Sequence, residues 1–215
     1  MRSLVVYTHP DPSSYCAALR DKVVAGLTAA GHEVRVTDLY AEGFDPLFTA
    51  AEHAAHLDVG AHPHAAAHVA DLQWCDQLVL VYPTWWSGQP AMLKGWIDRV
   101  WVRGATWELP AGGNRLQGRL RNVRSLVVVT THGSSKWVNV LQGEPGKRTV
   151  SRTLRAVCHR RARTTWIALY GVDRSSLEHR QAFLDAIPRR LASRRLRRLA
   201  RQRSAAEAGG NDTRP

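Results

Sequence analysis

The chain has 215 residues, 44% of them hydrophobic and 22% charged, with a formal net charge of +12. This composition is ordinary for one globular domain with a full core. No run of about eighteen apolar residues occurs, which excludes a membrane-spanning helix. The three cysteines lack metal-type spacing and are expected to be reduced. Without a recognisable leader segment, the protein is expected to be cytoplasmic.

The predicted strands and helices alternate along the chain. Apolar runs predict strands at residues 3–8, about 34–39, 77–82, 125–131 and 164–170. Apolar residues spaced by three or four predict helices between the strands. The first of these helices ends at Gly31. The others are predicted at about 63–74, from residue 90 onward, at about 148–160 and from about residue 175 onward. The connection 40–61 should hold a short irregular helix. This alternation predicts a parallel sheet with helices on both faces.

Positive charge is concentrated near the carboxyl end. Eight arginines and no acidic residue lie between Arg189 and Arg203. We therefore predict a domain over residues 1–192 and a basic, disordered tail over 193–215. The tail could stay in solvent or contact a membrane surface, nucleic acid or a protein partner. Because most of the net positive charge lies in this tail, the charge does not indicate that the domain itself binds nucleic acid.

The turn after the first predicted strand reads H-P-D-P-S-S. It contains neither the glycine-rich dinucleotide motif nor a P-loop. Ser13 or Ser14 could simply cap the next helix. Alternatively, their hydroxyls and the amides at the positive end of the helix dipole could bind a phosphate. Both interpretations remain open from this loop alone.

Two adjacent indoles, Trp85 and Trp86, directly follow the third predicted strand. Open parallel sheets bind ligands at the carboxyl ends of their strands. Neighbouring side chains at a strand end point in different directions, so at least one indole should face the crevice. In the following helix, Trp96 and Trp101 fall on the apolar face and are predicted to be core. A flat aromatic ligand such as a flavin is the first ligand to test.

The fourth predicted strand ends in T-T-H-G-S-S. Backbone amides at Thr131, His132 and Gly133 would lie close to a ligand on the indole wall, where they would stabilise a reduced, anionic flavin. The five histidines between His53 and His68 have no carboxylate or cysteine fixed beside them, so no metal site is predicted. Motifs of hydrolases and metalloproteases are absent from the sequence.

Together, the stretch P-T-W-W-S-G-Q-P-A-M-L-K-G-W-I-D-R-V at 83–100 and the two other loops resemble the NAD(P)H:quinone oxidoreductases of the DT-diaphorase type. The resemblance covers about residues 2–191. It implies an α/β flavodoxin-like fold with a five-stranded parallel sheet of order 2-1-3-4-5. It also implies bound FAD or FMN and a homodimer with active sites at the subunit interface. The implied cycle is ping-pong: NAD(P)H delivers hydride to flavin N5 and leaves, and a quinone, or a nitro or azo compound, then takes both electrons.

The resemblance also implies roles for particular residues. The phosphate side of the flavin would be held by His9, Ser14, Tyr15 and Cys16, with Ser13 beside them. The ring would face Pro83, Thr84, Trp85 and Trp86, and its pyrimidine edge Thr130, Thr131, His132 and Gly133. The acceptor slot would be lined by Ala105, Thr106 and Trp107.

This chain departs from the family pattern at two places. Cys16 stands where the family has asparagine, and His132 replaces the first glycine of T-T-G-G. The tyrosine and histidine that assist proton relay in the best-known members are missing from 135–147. We therefore hypothesise that His132 or solvent supplies the proton. An alternative function is a flavin-binding ancillary subunit of a membrane transporter, with the basic tail as its docking element.

Overall fold

Five parallel strands form the central sheet in the computed structural model, which describes residues 1–60 and 62–192. In chain order the strands are β1 (Arg2–Tyr7), β2 (Glu33–Asp38), β3 (Gln77–Pro83), β4 (Trp107–Glu108), β5 (Gln117–Gly118), β6 (Ser125–His132) and β7 (Arg163–Tyr170). The sheet order is β2-β1-β3-β6-β7, while β4 and β5 pair as a short antiparallel hairpin. Counting only the sheet strands, this is the predicted order 2-1-3-4-5, which is confirmed.

Helices connect the strands. They are α1 (Tyr15–Ala29), α2 (Ala50–Ala54), α3 (Ala66–Trp74), α4 (Ala91–Val100), α5 (Lys136–Leu141), α6 (Pro145–Arg148) and α7 (Leu177–Leu191). Single 3₁₀ turns occur at Pro63–Ala65 and Val172–Arg174, and a π-helical segment, Thr149–Leu154, continues α6. In the part of the chain that the structure describes, no helix combines the length and apolarity needed to cross a bilayer.

The sheet is buried on both faces because its strand residues alternate between two apolar clusters. In β3, Leu78, Leu80 and Tyr82 join the cluster that includes residues of α3 and α4. Their neighbours Val79 and Val81 pack with residues of α1 and α7 on the other face. Trp96 and Trp101 belong to the first cluster, as predicted. These two layers fix the carboxyl ends of β1, β3 and β6 side by side.

Some local predictions differ from the structure. Pro90 is the N-cap residue of α4, with non-helical backbone (ψ 151°), and the first helical residue is Ala91. The segment after β6 contains α5, which begins at the Ser135 cap although most of its apolar side chains are exposed. The segment 104–121, in which no strand was predicted, contains the β4–β5 hairpin. The predicted basic tail, 193–215, lies outside the described residues.

Candidate functional site

A cleft of about 580 Å³ opens at the carboxyl edge of the sheet. Three loops that follow β1, β3 and β6 form most of its lining, and the segment after β7 closes one side. The lining residues are His9, Ser14, Tyr15, Cys16, Pro83, Thr84, Trp85, Trp86, Thr131, Gly133, Val172, Asp173 and Arg180. The structure thus brings ten of the sequence-predicted residues into one cleft.

The start of α1 forms the first wall of the cleft. Ser14 is the N-cap: its hydroxyl oxygen accepts a hydrogen bond from the Ala17 N–H at 3.2 Å. The first amides of the helix, at Tyr15 and Cys16, have no carbonyl of their own helix to bond. The positive end of the helix dipole therefore faces the cleft, which favours an anion there.

Ser13 does not line the cleft. Its N–H and hydroxyl both donate to Asp11 Oδ1, at 2.8 and 2.7 Å. The Asp11 N–H in turn donates to Nδ1 of His9 at 3.0 Å. These bonds hold the H-P-D-P turn in shape, so Ser13 supports the loop and Ser14 faces the ligand space.

Arg180 of α7 supplies positive charge at this end of the cleft. The Tyr15 hydroxyl donates to the Arg180 carbonyl at 2.8 Å and so joins α1 to α7. Nε of Arg180 is buried and has no hydrogen-bond partner among the described residues. Burial raises the pKa of both Tyr15 and Cys16 to about 12, so both side chains are neutral. The guanidinium and the positive end of α1 are therefore the groups here that supply positive charge for a phosphate.

The indole turn, Trp85 to Gly88, forms the second wall. It is closed by hydrogen bonds from Trp85 N–H to Gly88 O at 3.3 Å and from Gly88 N–H to Trp85 O at 3.0 Å. Both central residues, Trp86 and Ser87, have positive φ (48° and 63°). This left-handed backbone conformation costs about 1–3 kcal/mol for each residue that has a side chain. In return the turn holds Trp86 fully exposed (102%) and Trp85 part-exposed (43%) at the cleft.

The segment after α5 holds this strained turn in place. The Gly146 N–H donates to Ser87 O at 3.1 Å, and the Ser87 hydroxyl donates to Oε1 of Gln142 at 2.5 Å. Gln89 donates from Nε2 to the Gly146 carbonyl at 2.9 Å. A Cβ at position 146 would lie only 3.1 Å from Ser87 O, so glycine permits the close approach. The conformation of the indole turn is thus set by its packing against this segment.

The third wall is the end of β6. Thr131 and Gly133 line the cleft, and a Cβ on Gly133 would lie 2.5 Å from Oδ2 of Asp173. Without that side chain, the Gly133 backbone stays open toward the cleft. Thr130 is fully buried, and its Oγ1 lies 2.9 Å from Oγ1 of Thr84. It therefore positions Thr84 and does not line the cleft itself.

His132 lies behind the cleft, in a second and smaller cavity. Its ring is 6% exposed and stacks on Tyr170 at 4.6 Å between ring centroids, with an interplanar angle of 16°. Nε2 lies 3.5 Å from Oγ1 of Thr84. Burial lowers the pKa of His132, and the Asn139 amide and the Glu144 carboxylate partly offset this effect. The imidazole is therefore neutral near pH 7.

Ala105, Thr106 and Trp107, predicted for an acceptor slot, are not among the residues lining the cleft. The hydroxyl of Thr106 is buried and donates to the Val102 carbonyl at 3.0 Å. The Trp107 indole donates from Nε1 to the Trp101 carbonyl at 2.7 Å and packs in the core. The side chains of Thr106 and Trp107 are therefore held in the interior by the residues at the end of α4 and just after it.

The histidine-rich connection before α3 is held by ion pairs and ring contacts. His64 Nε2 lies 3.1 Å from Oε1 of Glu52, which also accepts from Arg99 Nη2 at 2.6 Å. Within residues 1–60 and 62–192, no three histidine, cysteine or acidic side chains are grouped to bind a metal ion.

Three cleft residues were not predicted: Val172, Asp173 and Arg180. Val172 and Asp173 lie in the 3₁₀ turn that follows β7 after Gly171, so the rule that ligands bind at the carboxyl ends of strands could have pointed to them. Arg180 belongs to an arginine-rich helix, where its sequence position carries no distinguishing signal. The contact between α1 and α7 brings it to the cleft.

The donor set of the cleft fits a flavin. The exposed indoles of Trp85 and Trp86 offer an apolar surface for a planar ring. At one end, Arg180 and the α1 amides suit a phosphate, while the open backbone at Gly133 suits a polar ring edge. An unpartnered buried guanidinium nitrogen beside a helix N-terminus is the feature that most specifically indicates an anionic group.

Comparison with known proteins gives consistent matches. The sequence model of the flavodoxin-like fold family matches residues 1–191. Ribosyldihydronicotinamide dehydrogenase [quinone] from Pongo abelii is 32% identical over 152 residues, which cover 62% of this chain and 64% of that protein. NAD(P)H dehydrogenase [quinone] 1 from Rattus norvegicus is 29% identical over 166 residues, covering 69% and 60%. The chain thus spans less than two thirds of the length of these relatives.

Two solved structures illustrate the likeness in three dimensions. Smu.1420 from Streptococcus mutans UA159 is 30% identical, with a TM-score of 0.76, covering 88% of this chain and 97% of that one. An FMN-dependent NADH-azoreductase from Bacillus anthracis str. Ames Ancestor, solved in complex with FMN, is 14% identical, with a TM-score of 0.67 and coverages of 87% and 96%. The second match, at this low identity, concerns the fold alone.

Proposed function

The chain belongs to the flavodoxin-like fold family, and from this premise we propose that it binds a flavin in the cleft and transfers electrons from NAD(P)H to a quinone. One observation carries the proposal. The indole turn, the start of α1 and the end of β6 converge on a single cleft of about 580 Å³ at the edge where such sheets bind ligands. A phosphate-bearing planar cofactor matches each of these walls.

Each wall has a role in this proposal. Trp85 and Trp86 lie against the ring and exclude water from one of its faces. Arg180 and the α1 amides hold the phosphate. The backbone at Thr131 and Gly133 donates to the ring edge where negative charge develops on reduction. When bound, the flavin supplies a two-electron carrier that accepts hydride from a nicotinamide and passes it to an acceptor.

The names of the relatives support the reaction class. Two of them carry the name dehydrogenase [quinone]. We propose that NAD(P)H and the acceptor occupy the open side of the cleft in turn, as a ping-pong cycle requires. Either FMN or FAD is compatible with this cleft, and quinones are the first acceptors to test, before nitro and azo compounds.

An exposed apolar surface beside the cleft supports a homodimer. We define the α5 patch as Trp137, Val140 and Leu141, all exposed large apolar residues. The patch adjoins the indole turn because Gln142, next to Leu141, accepts from the Ser87 hydroxyl. Contiguous exposed apolar surface is typical of an interface. We infer that a second copy covers this patch and completes the open side of the cleft.

The proposal is tested by purifying the full chain, identifying any flavin released on denaturation, and following NADH and NADPH oxidation with and without a quinone. We expect bound flavin and nicotinamide oxidation that depends on the quinone. A protein that stays colourless after incubation with FMN and with FAD would contradict the proposal. Bound flavin without any nicotinamide oxidation would instead favour the ancillary-subunit function.

A further inference from the structure

We propose that the small cavity behind the indole turn is a proton path, in which Glu144, one water molecule, His132 and Thr84 connect solvent to the cleft. The inference rests on the proposed function and deepens it, because it assigns a source for the proton that quinone reduction consumes. It also gives His132 a role through Thr84 rather than direct contact with the acceptor.

The cavity has the size and position that such a path needs. Its volume of about 10 Å³ suits about one water molecule. Its walls are Thr84, Ser87, His132, Asn139, Glu144, Gly146, Lys147 and Trp166. Thr84 lines both this cavity and the larger cleft, so its hydroxyl lies at the boundary between them.

The two ring nitrogens of His132 differ in their contacts. Nε2 lies 3.5 Å from Oγ1 of Thr84, at the long end of hydrogen bonding. Nδ1 is buried and has no hydrogen-bond partner among the described residues. The side-chain amide of Asn139 lies close enough to raise the pKa of the His132 ring, but it makes no hydrogen bond to Nδ1. A buried polar nitrogen of this kind is normally satisfied by ordered water, which the cavity can hold.

Glu144 connects the cavity to solvent. It is half-buried, and its carboxylate accepts from Nζ of Lys147 at 2.8 and 2.9 Å. Its backbone has a positive φ of 47°, and its N–H donates to the Asn139 carbonyl at 3.0 Å, so the residue is held in a strained position. The remaining groups around the His132 ring are Tyr170 and Trp166 of β7. Glu144 and Lys147 are thus the charged groups that line the cavity with His132.

The chemistry balances with one proton per cycle. NAD(P)H, one proton and a quinone give NAD(P)⁺ and the hydroquinone. The hydride carries both electrons, and the second hydrogen arrives as a proton. It enters from the Glu144 side through the water to Nδ1 of His132, while Nε2 passes its proton to Thr84 Oγ1, which donates its own into the cleft. The chain gains one proton and loses one, and no electron passes along the path.

The test compares Glu144→Gln and His132→Gln with the control Glu178→Gln, an exposed carboxylate at the start of α7 that lines neither cavity. In flavin-free protein, a histidine titration by NMR should show a lower pKa of His132 in Glu144→Gln, because the carboxylate that favours the imidazolium is gone. Glu178→Gln should leave that titration unchanged.

Anaerobic stopped-flow experiments on flavin-loaded protein then separate the two half-reactions. With p-benzoquinone, flavin reoxidation should slow by about 100-fold above pH 7 in both cavity variants, with a changed pH profile and solvent isotope effect. Flavin reduction by NAD(P)H should stay within about twofold, because hydride transfer to the flavin needs no side-chain acid.

Three outcomes are decisive. Unchanged reoxidation in both variants, with wild-type turnover intact, would refute the proton path alone. An unshifted His132 titration in Glu144→Gln would refute the coupling between the two residues. A wild-type protein without flavin turnover would refute the proposed function, and the role of the path with it. Circular dichroism and flavin content of each variant identify any loss caused by misfolding, and the two variants are independent tests.

Discussion

Replacing Trp86 or Trp96 by alanine should have very different effects on the free energy of unfolding. Trp96 is fully buried (0% exposed), whereas Trp86 is fully exposed (102%) and lines the cleft. Trp86→Ala should therefore change the free energy of unfolding by less than about 0.5 kcal/mol, since the positive φ persists and no burial is lost. Trp96→Ala should cost about 3–5 kcal/mol. If the Trp86 indole lies against the flavin, its loss removes about 0.5–1.5 kcal/mol of aromatic contact, which corresponds to about 2- to 12-fold in Kd.

Urea unfolding of flavin-free protein measures the first quantity, and fluorescence titration with FMN measures the second. The matched control is Leu47→Ala, another largely exposed apolar residue (70%), which does not line the cleft. It should change neither quantity. The reasoning is refuted if Trp86→Ala binds FMN as tightly as the wild type, or if it loses as much stability as Trp96→Ala.

Three further predictions concern the phosphate end, the patch and pH. Arg180→Met should weaken FMN binding by about tenfold or more in the same titration, because a charge-assisted hydrogen bond is lost, whereas riboflavin, which lacks the phosphate, should bind equally to both proteins. Leu141→Lys should convert the proposed dimer to monomers in sedimentation velocity, because a charge would be buried in the inferred interface; Leu177→Lys, on exposed surface elsewhere, should not. Burial raises the pKa of Glu52, but hydrogen bonds from Arg99 and Thr49 outweigh it and hold that pKa at about 2. This stabilisation is present above pH 4.5, the ordinary pKa of a glutamate, and is lost as the pH falls through about 2. The free energy of unfolding of the wild type should therefore fall more steeply over that interval than that of Glu52→Gln.

The strands and three of the loops could be predicted because they depend on local signals, whereas the order of the strands in the sheet was implied by the family resemblance. Apolar runs identified the strands, and the carboxyl-edge rule then placed the loops after β1, β3 and β6 at one site. The order of these strands brings them together: β1 pairs with β3, and β3 with β6. Adjacent strands place adjacent loops, so residues as distant in sequence as Ser14 and Gly133 line the same cleft.

The remaining features depend on tertiary packing. An indole suits a ligand slot and a core equally well, and the hairpin that turns Trp107 toward Trp101 has no sequence signature. The apolar residues of α5 are mostly exposed, so they produce no buried-face periodicity. Arg180 reaches the cleft because α7 packs on α1, a contact that no motif marks. The orientation of His132 away from the cleft likewise follows from its stacking on Tyr170.

The most direct test of the central claim is a crystal structure of the full chain grown with FMN. The account predicts electron density for the isoalloxazine ring against Trp85 and Trp86, with the phosphate within hydrogen-bonding distance of Arg180 and the first amides of α1. A flavin bound elsewhere, or indoles that close the cleft in its absence and presence alike, would contradict it.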